Sequence, residues 1–110
     1  MQNILDHLKS QQETALSELC DFLRIPGISA DSKYVPDMQR CADWVMASMK
    51  DAGLTAQIFQ TKGHPIVYGE RIRDPKLPTV LVYGHYDVQP PDPLDLWTTP
   101  PFEPQVRDGK

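Results

Sequence analysis

Proline placement constrains this chain more than any other feature. Of 11 prolines in 110 residues, eight lie between Pro75 and Pro104. Proline can neither continue a helix nor donate to a sheet ladder. The stretch from Pro90 to Pro104 is therefore expected to be a long loop, and loops of that length are usually functional or disordered. Regular structure has to be sought in the residues before it.

From Ile4 to Leu23 apolar residues recur in steps of three and four: Ile4, Leu5, Leu8, Ala15, Leu16, Leu19, Phe22 and Leu23. That spacing predicts a helix with one buried stripe, with a polar gap at Gln11 and Gln12. Pro26 stops it. A second helix is predicted from about Pro36, with Asp37 at the positive dipole end and Gly53 as its terminating residue. Its inner stripe would be Met38, Cys41, Ala42, Val45, Met49 and Ala52. The period then changes to two. Leu54 to Thr61 and Ile66 to Tyr68 are predicted strands, and Arg71 to Pro78 a turn. Thr79 to Tyr83 is apolar on both alternating faces, the pattern of a central strand covered on two sides. Asp108-Gly109 is a hairpin-turn dipeptide with no second strand after it, which suggests a truncated sequence. The order of elements implies an α/β fold in which two N-terminal helices pack on a partial mixed sheet. Its site would lie where the central strand ends, as ligand sites do in open α/β sheets.

Composition narrows the function. A net charge of −4 argues against a general nucleic-acid binder, which needs a basic face. The first residues have neither a basic nor an apolar signal-peptide region. No apolar run approaches the ~20 residues that span a bilayer. Cys20 and Cys41 lie in helical patterns without flanking bases. They read as reduced packing thiols, which fits a cytoplasmic protein. The sequence holds no Gly-x-Ser-x-Gly elbow, phosphate loop, His-Glu-x-x-His pair or dinucleotide fingerprint.

The chemistry-bearing candidate is Tyr83-Gly84-His85-Tyr86-Asp87-Val88. Histidine is a common metal ligand, and its second ring N–H needs an acceptor to fix the tautomer. His85 and Asp87, two apart on one strand, would point to the same face, so Asp87 could be that acceptor. Gly84 would admit a ligand or another backbone. Spacing alone leaves a second meaning open: a histidine at a strand end, tied to a carboxylate and doing nothing else. One histidine cannot hold zinc, which takes at least three protein ligands. His7, on the first helix, and His64, in a Gly-His-Pro turn, read as exposed polar residues.

The run Val80 to Pro90, Val-Leu-Val-Tyr-Gly-His-Tyr-Asp-Val-Gln-Pro, followed by Leu96-Trp97 and Pro100-Pro101-Phe102, resembles the first metal motif of the M20 metallopeptidase family. It is most similar to the dipeptidase branch. Phe22 to Ser29 and the helix bearing Cys41-Ala42-Asp43-Trp44 fit as well, so the resemblance covers nearly the whole chain. It implies that residues 1–110 are the N-terminal portion of a metallopeptidase (phosphorylase/hydrolase-like) catalytic domain, without the lid that carries the family's dimer contacts. His85 would be a zinc ligand and Asp87, the second residue carried over to the catalytic site, would orient its imidazole. The family uses two zinc ions, Co2+ or Mn2+ being alternatives, bridged by an aspartate and a water, with a glutamate as general base. Neither Glu70 nor Glu103 stands in the context of that base. The resemblance implies that the parent, possibly a homodimer, hydrolyses dipeptides or short peptides, and that this segment is inactive alone. The alternatives are an N-acyl-amino-acid deacylase and a non-catalytic binding module. No nucleic-acid or membrane partner is expected.

Overall fold

The computed structural model describes residues 1–109. The chain divides into two compact units, Pro26–Pro90 and the flanking residues 1–25 with 91–109.

In the flanking unit, the single predicted helix is two: α1, Gln2–Ser10, and α2, Gln12–Leu23. The break falls at Gln11 (φ −96°, ψ 0°), in the polar gap. Neither helix buries a residue. Leu8 and Leu19, on the stripe expected to be inward, are 60% and 50% exposed. Periodicity marks which face would be buried but supplies no surface to bury it against. The proline-rich segment is a loop with one 3-10 turn at Leu94–Leu96 and a cis Asp92–Pro93 bond. The Trp97 indole closes it by donating to the Pro91 carbonyl at 2.7 Å. Asp108 and Gly109 take positive φ (51° and 74°), the backbone that a two-residue hairpin turn requires.

The unit Pro26–Pro90 holds the α/β part. Asp31 caps a 3-10 turn, Ser32–Tyr34, by accepting from the Lys33 amide. It leads into α3, Val35–Asp51, which has proline in its first turn. Gly53 (φ +82°) reverses the chain after α3, a left-handed conformation that costs glycine little. Two antiparallel strands follow, β1 (Thr55–Phe59) and β2 (Ile66–Glu70), in a register that pairs Gln57 with Tyr68 and Ile58 with Val67. Both alternate, with Ala56, Ile58, Val67 and Gly69 on the less exposed face. Helix α3 packs on both strands, and its Met49 lies against Gly69.

The expected central strand differs from the structure. Thr79 to Tyr83 forms no strand, and Val80 to Tyr83 are 83–89% exposed. A strand exists only as one side of a hydrogen-bonded ladder, and no described segment pairs with this one. The sheet-like contact in this region comes slightly later. Val88 donates its amide to the Gly27 carbonyl at 2.8 Å, forming a single parallel bridge between Ile28 and Val88.

The core of this unit is small: Ile28, Met38, Cys41 and Ala42, each at most 1% exposed. Of the inner stripe predicted for α3, only its N-terminal half is fully buried, while Ala52 is exposed at the helix end. Gly27 makes the packing feasible. A Cβ there would stand 2.6 Å from Cys41 Sγ, and its other neighbours would be at ordinary distances. Both cysteines are free. Burial, and secondarily the Asp37 charge, pushes the Cys41 thiol above its ordinary pKa.

Two outcomes follow for this core. Gly27→Ala should cost about 1–3 kcal/mol through overpacking. Adding Cys41→Ala should return part of that loss, so that urea unfolding of the double variant reports strong non-additivity. The raised thiol pKa means that the native state keeps its proton longer than the unfolded chain does. Stability should therefore decline as pH rises past about 8.5, the unperturbed thiol value. Cys41→Ala should flatten that decline in unfolding curves measured between pH 7 and 10.

Candidate metal-ligand site

His85 and Asp87 lie on an irregular segment, not at the end of a buried strand, and the His85 side chain is 76% exposed. The two side chains nevertheless meet. His85 Nδ1 lies 3.1 Å from Asp87 Oδ1 and 3.0 Å from the Asp87 backbone carbonyl. A carbonyl only accepts, so Nδ1 carries the ring proton and donates. The lone pair of the neutral ring is then on Nε2, which makes no hydrogen bond to a described residue and stands on the exposed side chain. Gly84, immediately before, has open space where a Cβ would be.

Three separate segments hold this pair. The first is Gly27–Ser29, brought alongside by the Val88 to Gly27 hydrogen bond. From it, the Ser29 hydroxyl donates to Asp87 Oδ2 at 2.5 Å. The second is the connection between β1 and β2. There the Tyr86 hydroxyl donates to the Pro65 carbonyl, and His64 Nε2 donates to the Ser29 carbonyl at 2.8 Å. Thr61 shapes that connection, donating its hydroxyl to the His64 carbonyl and accepting the Gly63 amide. The third is the segment 85–88 itself.

The Ser29 hydroxyl is the main cause holding the Asp87 carboxyl below its ordinary pKa. Partial burial opposes it, and the His85 ring adds to it. Asp87 is thus an ionised acceptor at neutral pH, with each carboxylate oxygen occupied by a donor. Burial raises the Tyr86 hydroxyl, which stays protonated and donates to Pro65.

Two of these residues were not apparent in the sequence. Ser29 is 58 residues from its partner, beyond any local pattern. His64, expected as an exposed polar residue, is half-buried and bonded to the Ser29 backbone. The Gly-His-Pro turn was visible, but not the carbonyl it faces. His7 is exposed on α1, as expected. An open cleft of about 370 Å³ borders Ser29 and His64 and is lined also by Gln39, Gln60 and Lys62. Neither His85 nor Asp87 lines it.

A catalytic zinc site takes at least three protein ligands. Among the described residues, no group of three His, Cys, Asp or Glu side chains could hold a metal ion. The donor set fits one coordination position, His85 Nε2 backed by Asp87, and not a complete site.

Comparison with known proteins supplies a class. No protein-family model matches the chain. Over about nine-tenths of its length it is nevertheless homologous to metallopeptidases of the M20 family, whose members are hydrolases. Among particular relatives, the Cys-Gly metallodipeptidase DUG1 of Candida albicans is 31% identical over 115 residues, covering 93% of this chain and 24% of the relative. Its Schizosaccharomyces pombe counterpart is 34% identical over 109 residues, covering 90% and 22%. A succinyl-diaminopimelate desuccinylase of Dechloromonas aromatica is 33% identical over 82 residues, covering 74% and 21%. The solved structure of the dipeptidase Dug1p from Saccharomyces cerevisiae superposes with a TM-score of 0.79 at 28% identity, covering 87% of this chain and 22% of that one. The chain therefore spans about a quarter of the length of the relatives it matches. No helix among the described residues is long and apolar enough to cross a membrane.

Proposed function

We propose that this chain carries the first metal-ligand segment of a metal-dependent hydrolase of dipeptides or short peptides. His85 Nε2 would be the ligand and Asp87 the residue that orients it. The observation that carries this proposal is the donation of His85 Nδ1 to both the carboxylate and the carbonyl of Asp87, which leaves Nε2 aimed outward as a lone-pair donor. Metal-binding histidines are commonly held this way, through a carboxylate or carbonyl on the other ring nitrogen. A divalent metal, zinc being our choice, supplies Lewis acidity and an activated water when bound. The chain's own contribution is narrower. Asp87 keeps the proton on Nδ1 and, being ionised, makes Nε2 a better donor.

Residues 1–110 would be the N-terminal portion of the catalytic domain, with the remaining ligands, the general base and the dimerising lid outside them. The pair of free cysteines supports a cytoplasmic setting.

In the full-length protein, His85→Ala should reduce bound metal and lower dipeptide turnover by more than about a hundredfold, and Asp87→Asn should cost about 10–100-fold in metal affinity. Metal analysis and kinetics check both. Unchanged metal content in the His85 variant would overturn the assignment. The 110-residue chain alone should not hydrolyse dipeptides. Chelator-sensitive turnover by it would contradict an incomplete ligand set.

Deacylation of N-acyl amino acids is a second reading, favoured by the match to desuccinylases. A panel of dipeptides against acetylated and succinylated amino acids separates the two. Dipeptides should give the higher kcat/KM.

A further inference from the structure

We propose that Ser29 is a positioning residue for the metal ligand. It would lock the Asp87 carboxylate and, through it, the tautomer and direction of the His85 ring. The inference rests on His85 being a metal ligand, and it extends that assignment to a residue 58 positions away in the chain.

A carboxylate two residues from the histidine it serves is an uncertain support unless something fixes it. The Asp87 side chain is 37% exposed, and rotation about its own bonds could carry Oδ1 out of reach of Nδ1. The Ser29 hydroxyl prevents this by taking Oδ2 at 2.5 Å, the range of a charge-assisted O–H···O⁻ bond. With Oδ2 fixed, Oδ1 is left facing His85 Nδ1 at 3.1 Å. Without Ser29, the ring would keep only the Asp87 carbonyl as an assured acceptor. The alternative tautomer, with its proton on Nε2 and its lone pair on the inward Nδ1, would then become populated.

Ser29 can serve this role because it is itself held from both sides. On one side, Ile28 is 1% exposed and bridged to Val88, so the backbone leading into Ser29 is fixed to the segment that carries Asp87. On the other, the Ser29 carbonyl accepts from His64 Nε2 at 2.8 Å. That contact requires a proton on His64 Nε2, since a carbonyl cannot donate. The chain of bonds runs His64 to Ser29 backbone, Ser29 hydroxyl to Asp87 and Asp87 to His85. At the far end of this series His85 Nε2 makes no hydrogen bond to a described residue, while both Asp87 carboxylate oxygens have donors.

The test uses the metal-free full-length protein, with Zn2+ as the probe. Affinity is read by competition with a chromophoric chelator. The tautomer of His85 is read by long-range proton–nitrogen NMR at pH 8, with the signals assigned by loss in His85→Gln. Ser29→Ala should weaken Zn2+ binding about tenfold, the lower end of the effect of losing an outer support. It should also shift the His85 ring from the Nδ1–H form toward a mixture. Ser29→Thr keeps the hydroxyl and should restore both readings to within about twofold of the parent in affinity. Should Ser29→Ala fail to fold, Ser29→Cys fills similar space with a weaker donor and should shift both readings in the same direction. Unchanged affinity and tautomer in a folded Ala or Cys variant would overturn the role of Ser29. If His85→Gln still abolishes one Zn2+ equivalent in that case, only the positioning inference fails. If His85→Gln retains all Zn2+, the ligand assignment fails first.

Discussion

The hydrogen bond from the Ser29 hydroxyl to Asp87 joins positions 58 residues apart, and it depends on how closely α3 can approach the segment before Ser29. Gly27 sets that distance. With no Cβ, it admits Cys41 Sγ to where a side chain would stand, so α3 packs directly on the backbone at Gly27 and Ile28. The same glycine uses its carbonyl to accept the Val88 amide. One residue thus places the core helix on one side and the His85–Asp87 segment on the other. Two of the four fully buried apolar residues meet at this junction, Cys41 against Gly27 and Ile28 bridged to Val88. A small core suffices because it has to fix only a few backbone segments.

Electrostatics at the site follow from that placement. The Asp87 carboxyl is held below its ordinary pKa because a hydroxyl from a distant segment and a ring N–H from two residues earlier both stabilise its charge, more than partial burial opposes it. The His85 ring is polarised in turn, with its proton held inward and its lone pair outward. Such an arrangement contributes one directed donor and nothing more. It agrees with the absence of any three-ligand cluster among the described residues and with a chain that spans about a quarter of its metallodipeptidase relatives.

Local elements were readable because their causes are local. Proline at the start and Gly53 at the end bracket α3. Alternation at Thr55–Phe59 and Ile66–Glu70 marks two strands that pair with each other. The His-x-Asp pair was readable for the same reason, since two residues of chain bring the side chains together whether or not the backbone is a strand. Thr79 to Tyr83 failed as a strand because apolar alternation expresses a capacity for pairing that no described segment meets. Leu8 and Leu19 were expected inside for a similar reason and lie exposed. Ser29 and His64 left no signal at all: a hydroxyl and an imidazole in loops look alike whether or not a carboxylate or a carbonyl faces them.

By itself, then, the sequence determined the helix that Gly53 ends and the two strands that follow it, that His85 and Asp87 would meet, and the family whose motif they share. Each of these is set within a few residues by backbone geometry or side-chain spacing. Tertiary structure alone decided that Asp87 is anchored by Ser29 and that Ser29 is held by His64. Those are contacts between segments far apart in the chain, and only packing of α3 against Gly27 brings them within hydrogen-bond reach.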